Sequence, residues 1–185
     1  MKTALITGGA QRIGAQIAQT LHSNGYNVII HYRHSKQAAK TLAQTLNTQR
    51  SDSATIVQAE LSNLDDIQAL SHHIERLDVL VNNASVFYPT AVEEVNQDAW
   101  NNIMNTNLMA PFFLSQSLTA ALKKTSGCII NIVDIHGERP LKNHAIYNIS
   151  KAGVAMMTKT LAKELAPEIR VCGVSPGSIL WPENE

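Results

Sequence analysis

Short apolar runs that alternate with helix-like stretches constrain the fold of this 185-residue chain more than any other feature. Between the first two runs, Ile13, Ile17 and Leu21 recur at the four-residue spacing of one helical face. Near-continuous apolar strands separated by amphipathic helices indicate a parallel sheet with helices on both faces. The sequence therefore predicts one doubly wound α/β domain over residues 1–185, which binds its ligand at the carboxyl ends of the strands. The predicted strands are residues 4–7, 28–32, 54–59, 77–81, 128–133 and 170–174.

Composition argues against several classes of partner. The 15 basic residues balance the 15 acidic residues, and neither sign forms a long run; we therefore predict no nucleic-acid partner and no binding to an anionic membrane surface. No apolar run is long enough to span a bilayer, and the strand-like N-terminus lacks the core of a signal peptide, so we expect a cytoplasmic protein. Cys128 and Cys172 lie in separate apolar runs, and we interpret them as buried free thiols rather than as a disulfide or a ligand pair. The scattered histidines predict no metal site.

The turn after the first strand has the sequence Thr-Gly-Gly-Ala-Gln-Arg-Ile-Gly, residues 7–14. Glycines here allow a sharp turn and a close approach of the backbone to a pyrophosphate at the helix N-terminus. The GxGxxG pattern is absent and a purely structural turn is the alternative, but the place at the start of a βαβ unit favours a dinucleotide site. The predicted cofactor-binding residues of this turn are Gly8, Arg12, Ile13 and Gly14.

The segment after the second strand lacks the acidic residue that would bind the ribose 2′-hydroxyl of NAD. Its sequence, residues 31–35, is His-Tyr-Arg-His-Ser. The basic side chains of Arg33 and His34 and the hydroxyl of Ser35, together with Arg12, suit the 2′-phosphate of NADPH. A solvated basic loop, with Ser35 as a helix cap, is the alternative. We therefore predict NADPH as the cofactor, with contacts from His31, Tyr32, Arg33, His34 and Ser35.

The third and fourth strands also end in candidate cofactor contacts. Glu60 and Leu61 follow the third strand, where they would border an adenine ring. Asn83, Ala84 and Ser85 follow the fourth strand, and an Asn at a strand end braces neighbouring loops as often as it takes part in catalysis.

Two later positions have more than one interpretation. Phe87 could stack on a flat heteroaromatic ring or pack as a core residue under its loop. Asn107 lies in a helical region that we expect to be interrupted near residues 110–111; its amide could serve a bound water or substrate, or mark a kink satisfied by neighbouring backbone. Pro-Gly after the sixth strand would free backbone amides near the nicotinamide, which adds Pro176, Gly177 and Ser178 to the cofactor contacts.

Tyr147 and Lys151 are four residues apart on a predicted helix, so both side chains lie on one face. An ammonium beside a phenol favours the phenolate and lowers its pKa, which would make Tyr147 a proton donor near neutral pH. A surface pair on an amphipathic helix is the alternative. Asp134 ends the preceding apolar run and opens the same stretch.

Taken together, these residues resemble the short-chain dehydrogenase/reductase family along the whole chain. The resemblance rests on the turn at residues 7–14, Asn82-Asn83-Ala84, Asn107, Tyr147 with Lys151, and Pro176-Gly177. It implies a Rossmann-type fold, a catalytic set that includes Asn107, and a homo-oligomer, a tetramer in many members. It also implies a C-terminal segment that would follow Glu185.

Departures from the common family pattern are similar to those of pteridine reductases. Arg12 stands at the middle glycine of the family's TGxxxGxG turn, and Asp134 stands where the catalytic serine usually lies. Asn83-Ala-Ser-Val-Phe87-Tyr-Pro resembles the substrate loop of that subfamily, and no threonine follows Pro176-Gly177.

The resemblance implies a role for each site residue. Lys151 would hold the nicotinamide ribose, and Phe87 would stack a pterin against the nicotinamide. Asp134 and Tyr147 would supply the proton; a carboxyl in place of serine suits a C=N bond, because its reduction needs a proton on nitrogen. The implied substrate-binding residues are Arg12, Ser85, Phe87, Asp134 and Tyr147, and the implied substrate is a dihydropterin, with dihydrofolate as a further one. The alternatives are an NADPH-dependent ketone or 3-oxoacyl reductase and a non-catalytic NADPH-binding protein.

Overall fold

A six-stranded parallel sheet forms the centre of the computed structural model, which describes residues 1–177. The strand order is β3-β2-β1-β4-β5-β6. The strands are β1 (Thr3–Ile6), β2 (Asn27–Tyr32), β3 (Ala54–Gln58), β4 (Val79–Asn82), β5 (Cys128–Ile132) and β6 (Arg170–Val174). This order confirms the predicted doubly wound sheet. Because the order reverses between β1 and β4, a crevice opens beyond their carboxyl ends.

Helices connect the strands, and their starts have local causes. The Asn63 side chain accepts a hydrogen bond from the Asp65 N–H, and the Asn96 side chain accepts one from the Ala99 N–H. Each satisfies a donor that a helix start leaves free. The helices are α1 (Arg12–Ser23), α2 (Lys36–Gln49), α3 (Leu64–His72), α4 (Gln97–Met104), α5 (Ala110–Ser117), α6 (Thr119–Lys123) and α7 (Ala145–Glu164).

Apolar side chains pack on both faces of the sheet. One cluster joins Ile6 and Ile30 to Leu46 of α2. The other joins Leu5 and Leu80 to residues of α3, α5, α6 and α7. Each fully buried Leu or Ile contributes about 1.5–3 kcal/mol relative to an exposed one, so the two layers fix the strand ends in place.

The last strand is less covered than the sequence suggested. Cys172 is exposed and Val174 is 48% exposed, while Cys128 is partly buried. The prediction of two buried thiols is therefore wrong for Cys172, because its face of β6 is open to solvent in the described part of the chain. Both cysteines are free. Burial raises the pKa of the Cys128 thiol.

The predicted interruption of the long helical region lies earlier than expected. The backbone forms a π-helical turn at Asn105–Met109, and α5 then continues through Pro111. Proline is tolerated there because it occupies the first turn of α5, where its missing N–H removes no necessary hydrogen bond. The π-helical turn is what places Asn107 in the interior, where it is 3% exposed.

A chain of polar side chains crosses the core between α5 and α7. Asn131 of β5 is fully buried; its Oδ1 accepts from Asn82 Nδ2 at 2.8 Å, and its Nδ2 donates to Thr158 Oγ1 at 2.9 Å. Asn82 Nδ2 also lies 3.3 Å from Ser115 Oγ. These bonds satisfy the Asn131 amide and the Asn82 Nδ2, whereas the buried Asn82 Oδ1 has no hydrogen-bond partner among the described residues. Among residues 1–177, no helix is both long enough and apolar enough to cross a membrane.

Candidate active site

A cluster of hydrogen bonds joins the carboxyl ends of β1 and β4. Thr7 Oγ1 donates to the Val81 carbonyl and accepts from the backbone N–H groups of Asn83 and Ala84. The Asn83 amide donates in turn to the carbonyls of Thr7 and Gly8. Asn83 therefore braces the glycine turn against the neighbouring loop, and the crevice between them has a fixed shape.

A crevice of about 440 Å³ lies along the carboxyl edge of β1–β4; we call it the carboxyl-edge crevice. Most of the predicted cofactor contacts line it: Gly8, Arg12, Ile13, Gly14, His31, Tyr32, Arg33, His34, Ser35, Glu60, Leu61, Asn83, Ala84 and Ser85. Lys151, Pro176 and Gly177 do not line it, and Ser178 lies outside the described residues.

Four residues that line the crevice escaped the sequence analysis: Ala10, Gln11, Val86 and Thr106. Gln11 has a local signal, because it lies inside the glycine turn, and its Oε1 accepts from Ser35 Oγ at 3.0 Å. Thr106 has none, because the π-helical turn brings it to the crevice from a distant part of the sequence.

Close packing explains two positions of the glycine turn. A Cβ at Gly14 would lie 2.2 Å from the Gly8 carbonyl oxygen and 2.6 Å from Asn83 Nδ2, so no larger residue fits. Arg12 has φ of 50°, the left-handed region that glycine occupies without strain. Arginine at this position exposes its cation beside the crevice at a conformational cost of about 1–2 kcal/mol.

His31 is buried at 2% exposure and holds the glycine turn from below. Its Nδ1 accepts from the Gly8 N–H at 3.0 Å, and its Nε2 lies 3.1 Å from the Ala59 carbonyl oxygen. An accepting Nδ1 and a donating Nε2 define the neutral ring. Burial lowers the pKa of His31, although the Ala59 carbonyl and the Glu60 charge act in the opposite direction.

Arg33 and Glu60, which follow β2 and β3, form an ion pair at the edge of the crevice. Burial would raise the pKa of Glu60, but hydrogen bonds from Ser62 and the charge and hydrogen bond of Arg33 outweigh it, so the pKa is lowered. Arg33 is therefore shared between a carboxylate and any anion that enters the crevice. Arg12 and His34 add nearby basic groups.

The crevice fits a dinucleotide on these observations. The turn at residues 7–14 tolerates no Cβ at Gly14, opens α1, and lies against the crevice. A helix start with such a turn binds phosphate through backbone N–H groups and the helix dipole. The cations at one end suit a second phosphate.

Asp134, Tyr147 and Lys151 come together at the end of β5. Tyr147 Oη donates to Asp134 Oδ2 at 2.7 Å. The other carboxylate oxygen of Asp134 accepts from the His136 N–H at 2.9 Å, which fixes its orientation at the start of a short 3₁₀ turn. Lys151 Nζ donates to the Ile132 carbonyl oxygen at 3.0 Å. The structure thus brings these three predicted residues together.

The predicted effect of Lys151 on Tyr147 is wrong in this arrangement. Burial, the hydrogen bond to Asp134 and the negative charge of Asp134 all raise the pKa of Tyr147. The Lys151 ammonium lies 5.6 Å from the centroid of the phenol ring, whereas the carboxylate contacts the hydroxyl directly. Burial also lowers the pKa of Lys151 to about 8, although Asp134 raises it.

The Asn107 side chain braces the loop after β4. Its Oδ1 accepts from the Val86 N–H at 2.8 Å, and its Nδ2 lies 3.0 Å from the Val86 carbonyl and 3.2 Å from Ser150 Oγ. Of the two interpretations of the sequence, this geometry matches the amide satisfied by neighbouring groups. A direct catalytic role of Asn107 stays a prediction.

Phe87 lies beside Tyr147 and is 47% exposed, so it is not a core residue. Its ring meets Tyr147 edge to face, with centroids 4.8 Å apart, and stacks on His144 at 4.6 Å. An exposed aromatic ring beside a proton donor can bind a flat substrate. Among the described residues, no group of three or more His, Cys, Asp or Glu could hold a metal ion.

We expect the stability of the protein to fall as the pH drops below about 6.5, in part because of His31. The neutral ring is favoured in the folded state, whereas the unfolded chain takes up a proton near the ordinary pKa of 6.5. The stabilisation is therefore complete above that pH and is lost as the pH falls through the lowered pKa. Urea unfolding of the wild type, His31→Gln and His34→Gln at several pH values between 5 and 8 measures this.

The exposed His34 is the matched control, and its variant should keep the acid sensitivity of the wild type. His31→Gln should be less stable at pH 8 yet lose less stability on acidification. An equally steep loss in His31→Gln would contradict the assignment.

Comparisons with known proteins agree with this geometry. The chain matches the short chain dehydrogenase family over residues 2–184. It is 36% identical to pteridine reductase 1 of Leishmania tarentolae, over 98% of this chain and 78% of that protein. It is 35% identical to the 3-oxoacyl-(acyl-carrier-protein) reductase FabG of Staphylococcus aureus, over 97% of this chain and 75% of that protein. The chain therefore belongs to the short-chain dehydrogenase family of nicotinamide-dependent oxidoreductases.

Proposed function

We propose that this protein is an NADPH-dependent pteridine reductase, which converts a dihydropterin such as dihydrobiopterin or dihydromonapterin to its tetrahydro form, with dihydrofolate as a further substrate. One observation carries the proposal: Asp134 is hydrogen-bonded to Tyr147, whose ring is in edge-to-face contact with the half-exposed Phe87. The pteridine reductase of Leishmania tarentolae is among the similar proteins. A flat ring that stacks on Phe87 would meet the phenol at its edge.

Tyr147 and Asp134 act as a proton-transfer pair in this proposal. A raised pKa keeps Tyr147 protonated at neutral pH, and its proton points at Asp134 in the structure. When Asp134 holds a proton, the bond reverses: the carboxyl donates to the phenol oxygen, and the phenol hydroxyl becomes free to protonate a ring nitrogen. Asp134 then passes its proton to the Tyr147 phenolate, and it takes up a proton from solvent before the next turnover.

Lys151 contributes a buried cation beside this pair. Lys151 is 4% exposed, and its Nζ contacts the Ile132 carbonyl at the end of β5. In this proposal its positive charge balances the charge that develops on Tyr147 and Asp134. By resemblance, Lys151 also holds the nicotinamide ribose. NADPH supplies the hydride, and Arg12, Arg33, His34 and Ser35 are the proposed contacts of its 2′-phosphate. Ser85 and Arg12 are proposed to contact the pterin or a phosphate.

A ketone reductase is the second candidate, and one observation favours it. The 3-oxoacyl reductase of Staphylococcus aureus is nearly as similar to this chain as the pteridine reductase is. Asp134 favours the pterin, because a carboxylate held against the phenol is a poor partner for a developing alkoxide, whereas the protonated carboxyl can supply the proton that reduction at a ring nitrogen needs.

The assay that tests the proposal measures NADPH oxidation with dihydrobiopterin, dihydromonapterin, dihydrofolate and an acetoacetyl thioester. We expect turnover of at least one pterin, and a loss of about 10²–10⁴-fold in kcat for Tyr147→Phe, the range for a general acid. Tyr26→Phe, at the opposite edge of the sheet, serves as its control.

Asp134→Ser separates the two candidates. We expect it to lose pterin turnover and to gain or retain ketone reduction, while the same change at exposed Asp65 alters neither. The proposal fails if no pterin is reduced by the wild type. Binding of NADPH without turnover of any substrate, unaffected by Tyr147→Phe, would indicate a non-catalytic protein.

Cofactor preference depends on Arg33 and its ion pair. Arg33→Ala should raise the Kd for NADPH about tenfold or more and leave the Kd for NADH nearly unchanged, since it removes a charge-assisted hydrogen bond to a phosphate that NADH lacks. Glu60→Gln should lower the Kd for NADPH, because it frees Arg33 from its carboxylate. Titration of cofactor fluorescence measures both, with exposed Arg76→Ala as the control. Equal effects on both cofactors would contradict the assignment.

We also propose a cytoplasmic homo-oligomer, a tetramer by resemblance. Large apolar side chains are exposed on α4, α5 and α7: Trp100 (38%), Phe112 (39%), Ile149 (49%) and Met156 (61%). Such surfaces are typical of subunit interfaces. Sedimentation at micromolar concentration should give a mass above that of the 20.2 kDa chain, and a monomer there would refute the proposal.

A further inference from the structure

We infer that His144 is a substrate-positioning residue, which holds the ring of Phe87 in place so that its remaining face accepts a flat heteroaromatic substrate. The inference rests on the proposed function for the identity of that substrate. His144 lies outside the motifs on which the family resemblance rests and outside the proton-transfer pair.

The contact between the two rings is close and nearly parallel. Their centroids are 4.6 Å apart and their planes differ by 14°. Phe87 also meets Tyr147 edge to face, at 4.8 Å and 79°. A half-exposed Phe on a loop would otherwise sample several rotamers. Two aromatic contacts, one with nearly parallel and one with nearly perpendicular ring planes, favour one of them.

His144 itself is held by three separate restraints. Its Nδ1 lies 2.9 Å from the Lys142 carbonyl oxygen, which makes this nitrogen a donor and fixes the ring. Its carbonyl accepts the Asn148 N–H at the start of α7. Its backbone forms a parallel bridge with Thr90, flanked by bonds from the Thr90 N–H to Asn143 and from the Ala145 N–H to Thr90.

These restraints make His144 a fixed support rather than a gate. Thr90 follows Phe87 by three residues, so the same backbone bridge ties the Phe87 loop to the start of α7. Rotation of the His144 ring away from Phe87 would break the Lys142 bond, and displacement of its backbone would break the bridge. His144 therefore covers one face of the Phe87 ring. In our inference the opposite face accepts the substrate ring.

Kinetics of four variants test this. His144→Ala should raise the KM for the dihydropterin about two- to tenfold, the loss expected of one aromatic pair, with kcat little changed. His144→Phe should restore the wild-type KM, because it keeps the stack. His144→Leu keeps the bulk without the ring and should behave like His144→Ala. His73→Ala, at the exposed histidine that follows α3 and stacks on His72, is the matched control and should change nothing.

A double-mutant cycle with Phe87→Leu shows whether His144 acts through Phe87. The KM effect of His144→Ala should disappear in the Phe87→Leu background; equal effects in both backgrounds would refute a role through Phe87. An unchanged or lower KM in His144→Ala would overturn the inference, the latter because it would mean that His144 blocks the ring site.

The proposed function and this inference fail separately. If the wild type reduces pterins but His144→Ala matches it, the inference is wrong and the function stands. If the wild type reduces ketones alone, the pterin proposal is wrong, and the same variants are compared on an aryl and an alkyl ketone. The inference then requires a KM increase for the aryl ketone only.

Discussion

The hydroxyl of Thr7 holds two strand ends together, and the geometry of the site depends on it. Parallel pairing places Ile6 opposite Val81, so the residues that follow β1 and β4 emerge side by side. Thr7 Oγ1 then joins them with one donated and two accepted hydrogen bonds. The glycine turn that begins at Gly8 and the loop that leads to Phe87 are thereby fixed relative to each other, although they are far apart in sequence.

The pKa values of two neighbouring groups of the candidate active site are shifted in opposite directions. Burial and Asp134 raise the pKa of Tyr147, while burial lowers that of Lys151 to about 8. Titratable groups whose environments shift their pKa values apart are typical of acid–base sites. Asp134 causes much of the effect on Tyr147, because its carboxylate is fixed by the His136 N–H and has its second oxygen free for the phenol.

The same residues explain why substrate and cofactor are harder to assign than the family. The glycine turn, Asn83, Tyr147 and Lys151 indicate a nicotinamide-dependent oxidoreductase. Two similar proteins are nevertheless named for different substrates, a pteridine and a 3-oxoacyl group. We propose that discrimination between substrates rests on Phe87 and Asp134. In our proposal Phe87 contacts the substrate ring, and Asp134 supplies the proton that Tyr147 passes to the ring nitrogen. The glycine turn and Lys151 contact the cofactor instead.

Periodicity alone determined the architecture of this protein. Apolar runs of strand length between amphipathic helices can bury both faces of a sheet in only a few ways, and the predicted strands match the observed ones to within about two residues. The fourfold spacing of Tyr147 and Lys151, and the place of Arg12 and Asp134 in their segments, were also available locally. Most residues of the carboxyl-edge crevice follow from the rule that ligands bind where strands end.

The tertiary structure decided which partner each side chain meets. Arg33 pairs with Glu60, Tyr147 donates to Asp134, and Phe87 stacks on His144. These pairs join different loops, and their distances depend on strand register and on the π-helical turn. The electrostatic consequences follow from the same packing: the pKa of the phenol rises because the ring is buried and because a carboxylate contacts its hydroxyl. Burial is equally a property of the assembled layers, and Cys172 is exposed because its face of β6 is open to solvent in the described part of the chain, despite its apolar neighbours in sequence.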